Sequence, residues 1–140
     1  GNHQTKYGEE LKSKYKETNI HFLGAIFNKQ ELDTFRFFAT LYLHGHSVGG
    51  TNPALIEAMA AQAFVVIHNN PFNKSVVYQD NLSFSTKEDL QEILNNNNLL
   101  SKREQLSQKN LEIINSKYRW NIIIDKYERY FLSILDDKKV

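Results

Sequence analysis

The chain has 140 residues, with 17 basic side chains against 16 acidic ones and no cysteine. Near-neutral charge argues against a nucleic-acid footprint or an anionic-membrane surface, and the missing thiols exclude disulfides and thiolate catalysis. No apolar run approaches the roughly 20 residues of a membrane span, and no signal peptide is visible, so a cytoplasmic protein of one domain is expected. The start at Gly1-Asn2 rather than Met reads as a processed or engineered fragment.

Tyr7, Leu11 and Tyr15 recur every four residues through Lys6–Lys16, predicting a one-sided helix with a lysine-rich outer face. Asn19 to Ile26 reads as a strand, Ile20–Leu23 at its centre, ending in a glycine turn. A helix is predicted over Asn28–Phe38 with Leu32, Phe35 and Phe38 inward, then a buried strand over Thr40–Leu43. Pro53–Gln62 reads as a helix whose Ala54, Ala58, Ala60 and Ala61 permit close packing on a sheet. Phe64–Ile67 is an apolar run short enough for a parallel core strand, and a short helix is centred on Lys74–Tyr78. Leu82–Phe84 is a last strand. A helix through Leu94 follows, capped by Ser85 or Thr86, with Glu88 placed for a capping box from Ser85. Asn95 to Asn98 is a break. Helices over Lys102–Ser116 and Trp120–Leu135 complete the chain, the last with a stripe of Trp120, Ile123, Tyr127, Tyr130 and Ile134 that reads as core packing. Strand–helix alternation predicts a parallel sheet with helices on both faces.

Chemistry concentrates between Leu43 and Ala60. A strand runs into the loop Gly45-His46-Ser47-Val48-Gly49-Gly50-Thr51, and a helix starts with Asn52 as cap and Pro53 in its first position. Such a loop gathers free amides at the positive end of a helix dipole, which is an anion site, and Gly49 and Gly50 let a phosphate approach the backbone. Glu57, five residues beyond the cap, is placed to accept hydrogen bonds from sugar hydroxyls near that phosphate. His44 and His46 would point the same way from a strand. A two-histidine metal site has no third ligand of suitable spacing, and hydrogen bonding of His46 to a donor phosphate or sugar is the stronger role.

The fifteen residues Gly45 to Met59, Gly-His-Ser-Val-Gly-Gly-Thr-Asn-Pro-Ala-Leu-Ile-Glu-Ala-Met, resemble the donor-site signature of GT-B retaining glycosyltransferases of the group-1, family-4 type, closest to a rhamnosyltransferase-like subgroup. The resemblance implies a Rossmann-like three-layer α/β domain with about four parallel strands and C-terminal helices. It makes residues 1–140 one C-terminal nucleotide-sugar-binding domain, with an N-terminal acceptor domain elsewhere in the same protein. It further implies transfer of a sugar from a nucleotide sugar to a glycan or lipid-linked acceptor, as in polysaccharide biosynthesis. The donor is a substrate, and neither a resident cofactor nor a metal is implied. By carry-over, Gly24, Ala25 and Ile26 wall the base pocket; Gly49, Gly50, Thr51 and Asn52 hold the diphosphate; His46 contacts the donor; and Glu57 holds the ribose hydroxyls. The family usually carries a second glutamate eight positions before the helix glutamate, where this chain has Gly49. A protein of this kind works in the cytoplasm or at the inner face of the membrane.

Other chemistries fit less well. Ser47 lacks the setting of a nucleophile elbow, and neither a dinucleotide fingerprint nor a P-loop lysine is present. A non-catalytic α/β interaction module is the rival from another class. In the resembled fold two central strands lie between Ile20–Leu23 and Thr40–Leu43. Their absence from this sequence predicts that those two segments pair directly, or that open sheet edges pair between two chains.

Overall fold

The computed structural model describes residues 5–50 and 52–137, which form two compact units meeting in sequence at Leu32 and Asp33. In the first unit Thr5 caps helix α1 (Lys6–Lys14), its hydroxyl accepting from the Gly8 amide at 3.1 Å. The helix is two residues shorter than the periodicity predicts, and Tyr7 is exposed. Residues 20–28 contain no regular structure, and Gly24 takes a positive φ of 78°. The predicted strand over Ile20–Leu23 is therefore absent. Ile20, Phe22 and Leu23 are exposed there, and the Ile20 amide donates to Thr18 Oγ1 at 3.3 Å rather than to a neighbouring strand. Asn28 then caps helix α2 (Lys29–Phe38), accepting from the Glu31 amide at 3.1 Å.

The second unit is α/β, built on a parallel sheet of three strands rather than about four. Strands β1 (Tyr42–His44), β2 (Val65–His68) and β3 (Ser83–Phe84) lie in that order, with Leu43 opposite Val66 and Ile67 opposite Ser83. β1 is an edge strand and Ile20–Leu23 is not a strand, so the direct pairing of the two segments expected within the chain does not form. Helices α3 (Pro53–Ala60), α4 (Pro71–Val76), α5 (Lys87–Asn95), α6 (Arg103–Lys117) and α7 (Trp120–Asp137) complete the unit, with a 3-10 turn at Leu99–Lys102 after the asparagine run.

Alternation along β2 organises the core. Val65 and Ile67 join Leu55, Ala58 and Met59 of α3, Val76 of α4 and Ile114 of α6 in one cluster. Phe64 goes to a second cluster with Leu99 and Leu106, against which Leu41, Leu82 and Ile93 pack. α3 ends in a Schellman motif: Gln62, at φ 57°, donates to the Met59 carbonyl and Ala63 to that of Ala58. At α5 the cap is Thr86, and Asp89 rather than Glu88 closes the capping box, its carboxylate also accepting from the Ser85 amide at 2.8 Å. Two expected inward faces are corrected. Phe35 and Phe38 of α2 are exposed, the buried side chain of that helix being Arg36. The aromatic stripe of α7 is likewise uncovered.

Candidate functional site

The carboxyl ends of β1 and β2 carry the candidate site. β1 starts two residues later and ends one residue later than predicted, so His44 is its last residue and Tyr42, His44 and His46 lie on one face. Their rings form a ladder, with centroids 6.4 Å apart for Tyr42 and His44 and 4.7 Å for His44 and His46, both stacked. Tyr42 packs against the cluster containing Leu55 and Met59, so this is the face that α3 covers. His44 is 2% exposed and its Nε2 has no hydrogen-bond partner. Burial, and to a lesser extent the charge of His46, hold its pKa below the ordinary 6.5. The shared orientation expected of the two histidines is present. Among the described residues, though, no group of three or more His, Cys, Asp or Glu gathers as metal ligands would.

The loop that follows is pinned from one side and open on the other. The His46 carbonyl accepts from Asn70 Nδ2 and Asn73 Nδ2, each at 2.9 Å. Asn70 also caps α4, and Asn73, 3% exposed, donates to the His68 carbonyl as well. A Cβ built on Gly45, Gly49 or Gly50 meets nothing within 4 Å, and Gly49 takes a φ of +113° that favours glycine. Among the described residues, neither the Gly49 nor the Gly50 amide donates to a partner. Thr51 lies outside the described residues.

At the start of α3, Asn52 is the cap that the sequence predicts. Its side-chain oxygen accepts from Ala54 N at 2.9 Å, its carbonyl accepts from Leu55 N, and Pro53 has no N–H. The first-turn amides are therefore spent internally. Among the described residues, what the site offers an anion is the backbone of Gly49 and Gly50 and the dipole of α3.

Glu57 lies on the same helix with half of its side chain exposed, but it does not stand alone. Arg36 Nη2 donates to its Oε2 at 2.9 Å, while Arg36 Nη1 reaches Asp33 Oδ1 at 3.2 Å. His46, Gly49, Gly50, Asn52 and Glu57 thus share one strand–loop–helix segment. Gly24, Ala25 and Ile26 belong to the first unit, on the irregular segment. Sequence reasoning missed Arg36, Asn70 and Asn73. The Asp33–Arg36 spacing of an ion pair on one helix face, and the Asn-Pro start of α4, were the available signals.

No protein-family model matches the chain, and neither a curated protein nor a solved structure matches it. Among the described residues, no helix is long and apolar enough to cross a membrane.

Proposed function

We propose that the chain is the donor-binding domain of a retaining glycosyltransferase of the family-4 type, with a Rossmann-like organisation of its sheet and helices. One observation carries the reading: a parallel strand feeds an open glycine loop and a capped helix, with the half-exposed carboxylate of Glu57 on that helix. On this reading the backbone from Gly49 through Thr51 to Asn52 holds the donor diphosphate, and His46 contacts the phosphate or sugar. Glu57 accepts from ribose hydroxyls. Transfer breaks the bond from the anomeric carbon to the diphosphate oxygen and forms one to an acceptor hydroxyl oxygen, whose proton is released. The loop amides and helix dipole stabilise charge growing on the departing diphosphate, which is electrostatic catalysis. The nucleotide sugar is a substrate and the proposal contains no resident cofactor. A second, acceptor-binding domain is its partner, and the protein works in the cytoplasm or at the inner membrane face.

Calorimetry with UDP, GDP, ADP and CDP tests the proposal, using wild-type protein and Gly50→Val. The valine side chain enters open space, so the melting temperature should stay put while nucleotide binding is lost. Undiminished binding by the variant removes the glycine loop from the site. A non-catalytic interaction module remains the second reading. It is favoured by the exposed apolar face of α7 and by the edge position of β1 in the sheet, where Leu43 is half-exposed.

A further inference from the structure

We propose that Arg36 is the positioning residue of the site: it holds the Glu57 carboxylate in the orientation that receives a ribose diol. The inference rests on the donor-domain reading. Arg36 is 6% exposed, and its Nε has no hydrogen-bond partner. Its guanidinium is thus committed to two carboxylates, Asp33 on its own helix and Glu57 on α3, 21 residues on. Exposure divides the pair into a hidden member and a presented one. A ligand arriving from solvent meets Glu57, half of whose side chain is exposed, and not Arg36.

The pairing suits a receiving carboxylate. Arg36 occupies Oε2, while Oε1 has no partner among the described residues and keeps its lone pairs for a donor. A free glutamate side chain samples many rotamers, and ordering it on binding costs affinity. A buried guanidinium fixed at its other end by Asp33 removes that cost in advance. A carboxylate accepts charge-assisted hydrogen bonds, which are stronger than those between neutral groups. Lysine cannot span two carboxylates with the same fork. A purely architectural ion pair between α2 and α3 predicts none of this for ligand selection.

The test compares affinities of the full chain for whichever of UDP, GDP, ADP or CDP binds, and for its 2′,3′-dideoxy counterpart. Wild-type protein should prefer the ribose form by about 10-fold or more, the scale of a hydrogen bond to a charged acceptor. Glu57→Gln and Arg36→Gln should each lose most of that preference, and the double variant should lose no more than either alone. Affinity for the dideoxy nucleotide should hardly change. Arg36→Lys, which retains a cation beside Asp33, covers the case in which the glutamine variant does not fold, and its preference should fall in the same direction. Full ribose preference in a folded Arg36 variant, alongside its loss in Glu57→Gln, overturns this inference and leaves the donor-domain reading standing. A wild-type protein that binds none of the four nucleoside diphosphates overturns that reading, and this inference with it.

Discussion

Helices α3 and α7 both carry strong apolar patterns, yet they live in different environments. α3 has eight residues, and Leu55, Ala58 and Met59 are fully buried against β2. α7 has eighteen, and Trp120, Tyr127 and Tyr130 remain 78%, 61% and 62% exposed. An apolar stripe is therefore evidence for a helix, not for what covers it. α3 is covered because a short loop after a parallel strand returns the chain across the sheet. α7 follows α6 through Tyr118-Arg119 and is not packed on the sheet by a strand-to-helix loop of that kind. It is held by local interactions such as the Asp125–Arg129 ion pair and the ring contacts among Tyr127, Tyr130 and Phe131. Most helical stability in proteins comes from tertiary packing of an apolar face, which these local contacts do not replace.

The contrast breaks most visibly at Phe64, which is fully buried in the second cluster beside β2. Phe64→Ala should cost about 3–5 kcal/mol, since the site cannot collapse around the lost ring. Urea titration read by circular dichroism measures it. A cost below about 1 kcal/mol would mean that the β2 core is not the stabilising centre and that the comparison with α7 has no basis.

The parts legible in the sequence were those with a local cause. The Asn52-Pro53 start of α3, the apolar run of β2 and the break at the asparagines each depend on neighbours in sequence: the first lies where it was read, β2 is one residue later at Val65–His68, and α5 takes in Asn95 before the break. Strand Ile20–Leu23 failed because an apolar run states a preference, while a strand needs a partner ladder that this chain does not supply. The Arg36–Glu57 pair joins positions 21 apart, with no pattern connecting them. The same holds for the buried polar network of Asn110, which donates to Asn81 Oδ1 and accepts from the Tyr78 amide 32 positions away. Asparagine composition suggests turns, and only packing reveals two of them as buried connectors. At the candidate site the loop and Glu57 were readable from the motif. The burial of His44 was not legible because the apolar run stops at Leu43, and only the folded sheet shows β1 running on to the histidine, which is 2% exposed.

Acid sharpens the comparison more gently, because it acts on the α3 side of the sheet and not on α7. With its pKa lowered by burial and by His46, His44 takes up a proton at higher pH in the unfolded chain than in the folded one. Its contribution is fully present above about 6.5, the unfolded value, and is lost as pH falls through the lower folded value. Asp89 acts in a separate, more acidic window. Hydrogen bonds from the Ser85 and Thr86 amides lower its pKa from 3.8, so its contribution is lost only as pH falls below that value. Thermal melts between pH 7.5 and 5 should show a falling Tm, and His44→Phe should flatten that slope. An unchanged slope in the variant would assign the acid sensitivity to other groups.

The smallest effect is expected on α7. Tyr130 is 62% exposed, and the ring it touches, Phe131, is itself exposed on the same helix. Tyr130→Ser therefore opens no cavity and strands no buried polar group. It removes one local ring contact at a position where helix propensities differ little, so the change in stability should stay within about 0.5 kcal/mol. Denaturation of wild type and variant at several protein concentrations checks this. A loss of 2 kcal/mol or more would require the tyrosine to be covered in solution. If that loss grew with protein concentration, the cover would be a second copy of the chain. The contrast between α3 and α7 would then be one between a helix buried within the chain and a helix buried between chains.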